Sequence, residues 1–68
     1  MLISAKNQLK GTLIEIKKGE VNCELVIDIG SENKLYSIIT LGAFKELGLK
    51  LGDEVTAVIK ANDVLIAT

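Results

Sequence analysis

Histidine, arginine and proline are absent from this 68-residue sequence, and Cys23 is its only cysteine. One thiol cannot form an internal disulfide, and without histidine or a second thiolate the chain lacks the ligands of a tetrahedral structural zinc site. A cysteine with a base partner, a phosphate-binding glycine motif and a carboxylate pair placed by a motif are missing too. The sequence therefore predicts a non-enzymatic binding protein with no metal site and no organic cofactor.

Aromatic residues and positive charge are also scarce. Tyr36 and Phe44 are the only aromatics, and eight lysines against nine carboxylates leave a formal net charge of −1. Proteins that bind nucleic acid usually carry a basic surplus, and those that bind single strands usually have several stacking aromatic side chains. These features argue against nucleic acid as a partner. A structural or nucleic-acid-binding OB-type module stays open as the alternative, which a steeply salt-dependent affinity for nucleic acid would favour.

Long apolar runs and targeting segments are missing as well. No run approaches the roughly 18 apolar residues of a membrane span, and the N-terminus lacks the charged-then-apolar layout of a signal peptide. A lone thiol in a chain without disulfides fits a reducing compartment. We therefore expect a cytoplasmic protein without a membrane partner, in which Cys23 is a small core residue.

Aliphatic side chains, in contrast, are abundant. Apolar residues make up 49% of the sequence, although aromatics make up only 3%. A chain of this length forms one domain, residues 1–68, and buries only about 60% of the surface that its unfolded form exposes. Because disulfides and zinc are excluded, oligomerisation is the remaining source of stability, and it would also cover surplus aliphatic side chains. We expect a homo-oligomer.

The strongest periodic pattern lies in residues 21–29. Apolar residues occupy every second position there, with polar residues at most positions between, which is typical of a half-buried strand. Turn residues follow at 30–33 and predict a hairpin with the next strand. The positions predicted to share the buried face are Val21, Cys23, Leu25, Ile27 and Ile29.

Turn residues divide the rest of the chain into short elements. Gly11, inside the first strand, predicts a bulge or a close approach of backbones. Leu41–Leu47 is the one helical segment, with Gly48 placed for a left-handed C-terminal cap. The predicted strands are residues 8–17, 21–29, 34–39, 54–60 and 64–67. This layout predicts an all-β fold, an OB-like five-stranded Greek-key barrel with one short helix between strands 3 and 4.

Three short segments carry hydrogen-bond donors suited to an anion. Residues 4–7 combine a hydroxyl, an ammonium and an amide, and residues 60–62 form a second polar cluster at a strand end. Thr40 precedes the helix, and Gly42 leaves first-turn N–H groups open. A plainer interpretation stands beside each: solvated loop side chains in the first two segments, and a helix cap at Thr40.

Two motifs are similar to those of a known family. Residues 4–11 have the sequence SAKNQLKG, which resembles a Ser-Ala-Arg-Asn-x-Leu-x-Gly opening, and residues 18–26 have the sequence KGEVNCELV, which resembles a Lys-Gly-x-Val-Asn-x-Glu hairpin. Residues 46–50 and 52–61 are similar to that family's entry into its last hairpin. Over nearly its whole length the sequence resembles the molbindins, the single-domain form of the Mop or TOBE fold, which bind molybdate and tungstate.

The resemblance implies an OB-like subunit that pairs into dimers and assembles into a hexamer, a trimer of dimers, with oxyanions bound between subunits. It implies two kinds of oxyanion site. The first would use side-chain donors and backbone N–H groups of Ser4, Lys6, Thr40, Lys60 and Ala61. The second, nearer the three-fold axis, would use Gly19, Glu20, Val21 and Asn22.

The sequence departs from the family pattern at three places. Lys6 stands where arginine is common, which keeps the charge but loses the planar fork that can grip two oxygens. Residues 41–43, Leu-Gly-Ala, replace Asn-Glu-Ser and remove a hydroxyl beside Thr40, and Asn62 replaces a common serine. These changes bear on affinity and on the choice of anion more than on the fold.

The chemistry of the expected ligand agrees with these donors. Molybdate and tungstate are doubly charged tetrahedra of acceptor oxygens, so their site needs donors and a cation but no metal ligands. Selection against sulfate would depend on cavity size, because the anions present the same charge and hydrogen-bonding pattern. The sequence thus predicts a cytoplasmic protein that binds molybdate or tungstate for storage or homeostasis. An accessory subunit that hands molybdate to cofactor synthesis stays open.

Overall fold

The structure, a computed structural model, describes residues 3–68 as four strands, one α-helix and one short 3₁₀ turn. Neighbouring strands are antiparallel, and one sheet contains them all. The elements are β1 (Asn7–Lys18), β2 (Asn22–Gly30), β3 (Asn33–Thr40), α1 (Leu41–Leu47), β4 (Glu54–Ile59) and the 3₁₀ turn (Ala61–Asp63). The order in the sheet is β3-β2-β1-β4. The predicted β fold with one short helix after the third strand is confirmed.

β1 is a central strand that pairs with one neighbouring strand along its first half and with another along its second half. Its first half pairs with β4, starting with Asn7 opposite Ile59. From Thr12 onward it pairs with β2. The register shifts between Leu13 and Glu15, a β-bulge that bends the strand. The sheet therefore curls into a half-barrel.

Gly11 lies where this curl brings two strands close together. A Cβ atom at Gly11 would lie 2.6 Å from the Asp28 carbonyl oxygen and 2.6 Å from Ile27 Cγ2. One of these neighbours is backbone that cannot swing away, so glycine is required. The predicted close approach at Gly11 is confirmed.

The turns follow their predicted chemistry. Ser31 and Glu32 have positive φ angles of 52° and 63°, as the two central residues of a type I′ hairpin turn require. Thr40 is the N-cap of α1, and Gly48, with φ 63°, ends the helix in the left-handed conformation. The predicted hairpin and the predicted helix ends are confirmed.

The core lies between the inner face of the sheet and α1. Leu13 and Cys23 are fully enclosed, and Phe44 is the one buried residue of α1. The predicted core role of Cys23 is therefore confirmed. Half-buried aliphatic residues from the strands and from the loop after α1 surround this group.

The predicted buried face of β2 is correct except at its first position. Cys23, Leu25 and Ile27 are buried, and Ile29 is half-buried. Val21 is 73% exposed, so its predicted burial is wrong. The reason is local: β2 begins one residue later, and Val21 lies in the preceding bend, where the alternation of a strand does not apply.

The predicted fifth strand at residues 64–67 is wrong, because the sheet of residues 3–68 has four strands. Leu65 and Ile66 are 92% and 86% exposed. The residue types of this tail suit a strand, but a strand also needs a neighbouring backbone, and within residues 3–68 the tail has no ladder partner. β4 also ends one residue earlier than predicted, at Ile59.

The half-barrel is open between β3 and β4, its two outer strands. A cleft of about 500 Å³ lies there, lined mainly by aliphatic side chains from all four strands. The interior that a closed five-stranded barrel would enclose is therefore accessible from one side.

Candidate functional site

Two of the polar segments meet where β1 begins and β4 ends. Asn7 and Ile59 form the last register pair at this end of β1 and β4. Lys6 directly precedes Asn7, and Lys60 directly follows Ile59, so the two lysines lie next to this pair on neighbouring strands. Both lysine side chains are exposed. We call this group the lysine end, and it consists of Ser4, Lys6, Lys60 and Ala61.

The backbone at the lysine end supplies further donors. The Gln8 side-chain amide donates to the Ala5 carbonyl at 2.8 Å, which holds the segment before β1 in a turn. After β4 the 3₁₀ turn closes with a 3.0 Å hydrogen bond to the Lys60 carbonyl. Within residues 3–68, the N–H groups of Ala61 and Asn62 have no protein acceptor. Asn62 belongs to the polar cluster at residues 60–62 that the sequence indicated, although it is not among the residues carried over from the family resemblance.

The lysine end is therefore a set of hydrogen-bond donors at one end of the sheet. Its two ammonium groups and hydroxyl, with the N–H groups of Ala61 and of the neighbouring Asn62, can all donate to an anion's oxygens. Exposed charges, however, gain only about 0–1 kcal/mol per ion pair in water. Tight anion binding at this end requires a second surface that excludes water.

The remaining site residues gather at the other end of β1. Asn22 and Thr40 face each other across β2 and β3. The Leu41 N–H donates to the Val21 carbonyl at 2.8 Å, and the Gly19 N–H donates to the Asn22 carbonyl at 2.8 Å. We call this group the turn end, and it consists of Gly19, Glu20, Val21, Asn22 and Thr40.

Backbone amides are the main donors at the turn end. In the part of the chain from residue 3 onward, the N–H groups of Glu20 and Val21 have no protein acceptor. The Glu20 carboxylate would repel an anion, so Glu20 can contribute only through its N–H. The turn end thus offers fixed donor geometry rather than positive charge.

Thr40 can be a helix cap and an anion donor at the same time. Its Oγ1 accepts a hydrogen bond from the Ala43 N–H at 3.0 Å, so the predicted capping role is confirmed. A hydroxyl that accepts one bond still has its own proton to donate. At Gly42 a Cβ atom would come no nearer than 4.0 Å to Thr40 Oγ1, so the missing side chain leaves space beside this hydroxyl.

One chain places the lysine end and the turn end at opposite ends of β1. Lys6 precedes and Gly19 follows this strand of 12 residues, which would span on the order of 40 Å if it were straight and is shortened by its bend. The first site expected from the resemblance combined Thr40 with the four residues of the lysine end. The structure places Lys6 beside Lys60 and Ala61, with Ser4 two residues before Lys6, and places Thr40 with the other group instead. Each chain therefore carries two separate groups of candidate donors, and each group is a candidate half-site for an anion.

Residues 3–68 offer neither a cluster of metal ligands nor a membrane-spanning helix. Residues 3–68 contain no group of three or more His, Cys, Asp or Glu side chains that could hold a metal ion. Their helices are too short or too polar to cross a membrane. The free thiol of Cys23 is enclosed in the core, although Cys23 directly follows Asn22 of the turn end.

Comparison with known proteins gives a consistent set of relatives. The TOBE domain family matches residues 3–66. "Molybdenum-pterin-binding protein 1" of Clostridium pasteurianum is 53% identical over 66 residues, which cover 97% of each chain.

The fold of the chain also resembles the folds of solved structures. The molybdate-binding protein of Sporomusa ovata superposes with a TM-score of 0.92 and 37% identity over 100% of both chains. The cytoplasmic molybdate-binding protein ModG, with molybdate bound, superposes with a TM-score of 0.84 and 41% identity over 90% of this chain and 43% of its own.

Proposed function

This chain belongs to the TOBE domain family, and from that membership and the two half-sites we propose that it binds molybdate or tungstate and does not catalyse a reaction. Relatives of similar length are named as molybdate-binding or molybdenum-pterin-binding proteins. The observation that carries the proposal is the lysine end. There Lys6 and Lys60 flank one end of the sheet beside the N–H groups of Ala61 and Asn62, which have no protein acceptor among residues 3–68.

The donors match a tetrahedral dianion in number and kind. Two lysines balance two negative charges, and hydroxyl and amide donors remain for the oxygens that the lysines do not reach. Amides on a hydrogen-bonded turn are already ordered, so little conformational entropy is lost when they bind. Size then discriminates between molybdate or tungstate and the smaller sulfate.

The complete first site, in this proposal, lies between two copies of the chain. The lysine end supplies charge but is open to water, and Thr40 supplies a free hydroxyl proton at the opposite end of β1. A second copy that presents its turn end to the lysine end would enclose the anion. Residues 19–22 would hold a second anion nearer the symmetry axis of a hexamer.

The apolar tail supports assembly by a separate line of argument. Leu65 and Ile66 expose most of their side chains in the isolated chain. Burial of one such side chain contributes about 1.5–3 kcal/mol, which a small domain cannot easily forgo. We place these side chains in contacts between copies, in an assembly of OB-like domains that each span residues 1–68.

A role in cytoplasmic storage or homeostasis agrees with these features. The only thiol is free and buried, as suits a reducing compartment, and the structurally similar ModG is described as cytoplasmic. Reversible binding at an interface allows a protein of this kind to take up and release an oxyanion.

Calorimetric titration with sodium molybdate, tungstate and sulfate tests the proposed function, together with a light-scattering mass. We expect saturable binding of the first two anions, weaker binding of sulfate and a mass several times 7.3 kDa. Equal affinity for sulfate, or no heat with any of the three, would contradict it. Binding to single-stranded nucleic acid that falls steeply with salt would instead favour the OB-module alternative.

Mixed assembly tests the shared site directly. Chains with Lys60→Ala and chains with Thr40→Ala should each bind molybdate weakly. If they are unfolded together in equal amounts and reassembled, about a quarter of the interfaces should combine an intact lysine end with an intact Thr40. Recovery of about that fraction of tight sites supports the arrangement, whereas no recovery would mean that both residues act within one copy.

A further inference from the structure

Lys18 is a charged residue that neither half-site includes. It is the last residue of β1, directly before the turn end. Its Nζ lies over the Phe44 ring, 5.2 Å from the centroid, within the roughly 6 Å range of a cation–π contact. Phe44 is the buried residue through which α1 packs on the core. The contact therefore joins the end of β1 to the helix that follows β3.

Three contacts hold residues 18–22 against α1 and its N-cap residue Thr40. The first is Lys18 over Phe44. The second is the 2.8 Å hydrogen bond from the Leu41 N–H to the Val21 carbonyl. The third is the ladder between Asn22, at the start of β2, and Thr40, at the end of β3.

α1 needs such contacts because it is short. A helix of seven residues is far below the ~12–15 residues at which an isolated helix becomes even marginally stable. Its orientation must come from packing, and that orientation sets where the Thr40 hydroxyl points. The same contacts set the directions of the Glu20 and Val21 amides.

We propose that Lys18 is a positioning residue for oxyanion binding: its ammonium over the Phe44 ring holds residues 19–22 against α1 and so pre-orders the donors of the turn end. This inference rests on the proposed function. It assigns Lys18 no contact with the anion, so its effect should depend on the aromatic ring.

The chain offers a matched set of variants. Lys18→Met keeps an unbranched side chain and removes the charge, and Lys18→Arg keeps a cation that can stack on the ring. Phe44→Leu removes the ring but keeps an aliphatic core residue. Lys17→Met is the control, because it removes the same charge one position earlier on β1, where the side chain faces Glu24 in the sheet.

Titration with sodium molybdate should separate positioning from direct contact. Lys18→Met and Phe44→Leu should each weaken binding about threefold to tenfold. The double variant, Lys18→Met with Phe44→Leu, should bind molybdate no more weakly than the single variant that has the lower affinity. Lys18→Arg should restore most of the affinity, and Lys17→Met should change it by less than about twofold. If Phe44→Leu bound as tightly as the parent while Lys18→Met lost affinity, the ammonium would be a ligand and the positioning role would be wrong.

Proton NMR without ligand tests the contact itself. The chain has two aromatic rings, and Tyr36 is 77% exposed on β3, so an upfield shift of the Lys18 side-chain methylene protons that disappears in Phe44→Leu identifies the Phe44 ring. Exchange of the Leu41 amide should be faster in Lys18→Met than in Lys17→Met. An unshifted Lys18 or equal exchange in the two variants would overturn the inference. If the parent chain showed both signals but bound neither molybdate nor tungstate, the proposed function would be refuted, whereas the contact between Lys18 and Phe44 would be confirmed.

Discussion

The lysine end and the turn end use opposite means to offer hydrogen-bond donors. The lysine end relies on ammonium groups of exposed side chains, which carry charge but are free to move. The turn end relies on backbone amides and one capped hydroxyl, which are held in place but sit beside the carboxylate of Glu20. The lysine end therefore provides electrostatic attraction for an anion, and the turn end provides donors in a fixed geometry.

The difference explains why neither end suffices. Long-range attraction raises the rate of encounter but discriminates poorly between anions of equal charge. Fixed amides discriminate by geometry, yet they are few and have no net charge to offset the loss of the anion's hydration. An interface that joins the two combines charge with shape and removes water from both.

The largest effect should come from Lys60→Ala, which removes charge from the lysine end. In a water-excluded site, losing one partner of a charge-assisted contact leaves the dianion under-paired, so we expect affinity for molybdate to fall about 30-fold or more. Lys60 follows β4 directly and so starts from an ordered backbone. Calorimetry measures the loss, and Lys34→Ala, an exposed lysine at the start of β3, is the matched control. Parent-like affinity in an assembled Lys60→Ala protein would show that the lysine end is not the site.

The next effect concerns whether the two ends meet at all. Leu65→Ser combined with Ile66→Ser should be nearly neutral for an isolated chain, because both side chains are exposed in it. In an assembly that buries them, the change should cost several kcal/mol of assembly free energy and lower the oligomer's mass at micromolar concentration. Sedimentation of the variant and of the parent at the same micromolar concentration measures this change in mass. An unchanged mass would exclude the tail from the interface.

A smaller effect is expected from Thr40→Val, which tests the fixed donors of the turn end. Valine keeps the volume but can neither accept from the Ala43 N–H nor donate to an anion. Loss of the cap should lower the free energy of unfolding by about 0.5–2 kcal/mol, and molybdate affinity should fall as well. Thr40→Ser, which keeps the hydroxyl, is the control. If denaturant melts of Thr40→Val and Thr40→Ser agreed, the capping bond would contribute nothing.

The smallest effect should be a gain at the lysine end. Lys6→Arg introduces a planar fork that can donate to two oxygens at once. Because residue 6 lies directly before β1 and is exposed, we expect affinity to rise by no more than about threefold. Competition between molybdate and sulfate checks whether the fork also changes selectivity. A large loss would mean that the pocket has no room for a guanidinium.

Local chemistry made much of the fold predictable. Alternation located β2, the turn residues after it located the hairpin, and Thr40 and Gly48 marked the ends of α1. Gly11 signalled the close approach of β1 to residue 28. These features depend on neighbours in sequence or on the backbone limits of one residue, and such signals survive in a bare sequence.

The errors share a different cause. Residues 64–67 have strand composition, but composition does not supply a partner strand, and the described residues 3–68 contain none for them. Val21 fits the alternation of β2 but falls in the bend before it. Composition also gave no indication that Thr40 would lie with residues 19–22 rather than with Lys6.

The sequence by itself determined the types of element, their caps and turns, and the set of donors suited to an anion, because each of these follows from the chemistry of a few adjacent residues. Tertiary structure alone decided where those donors stand. The bulge in β1 and the register of β4 bring Lys6 to Lys60, while the pairing of β2 with β3 carries Thr40 to the turn end. Contacts between residues distant in the chain depend on strand register and curl, which the packing of the whole sheet fixes.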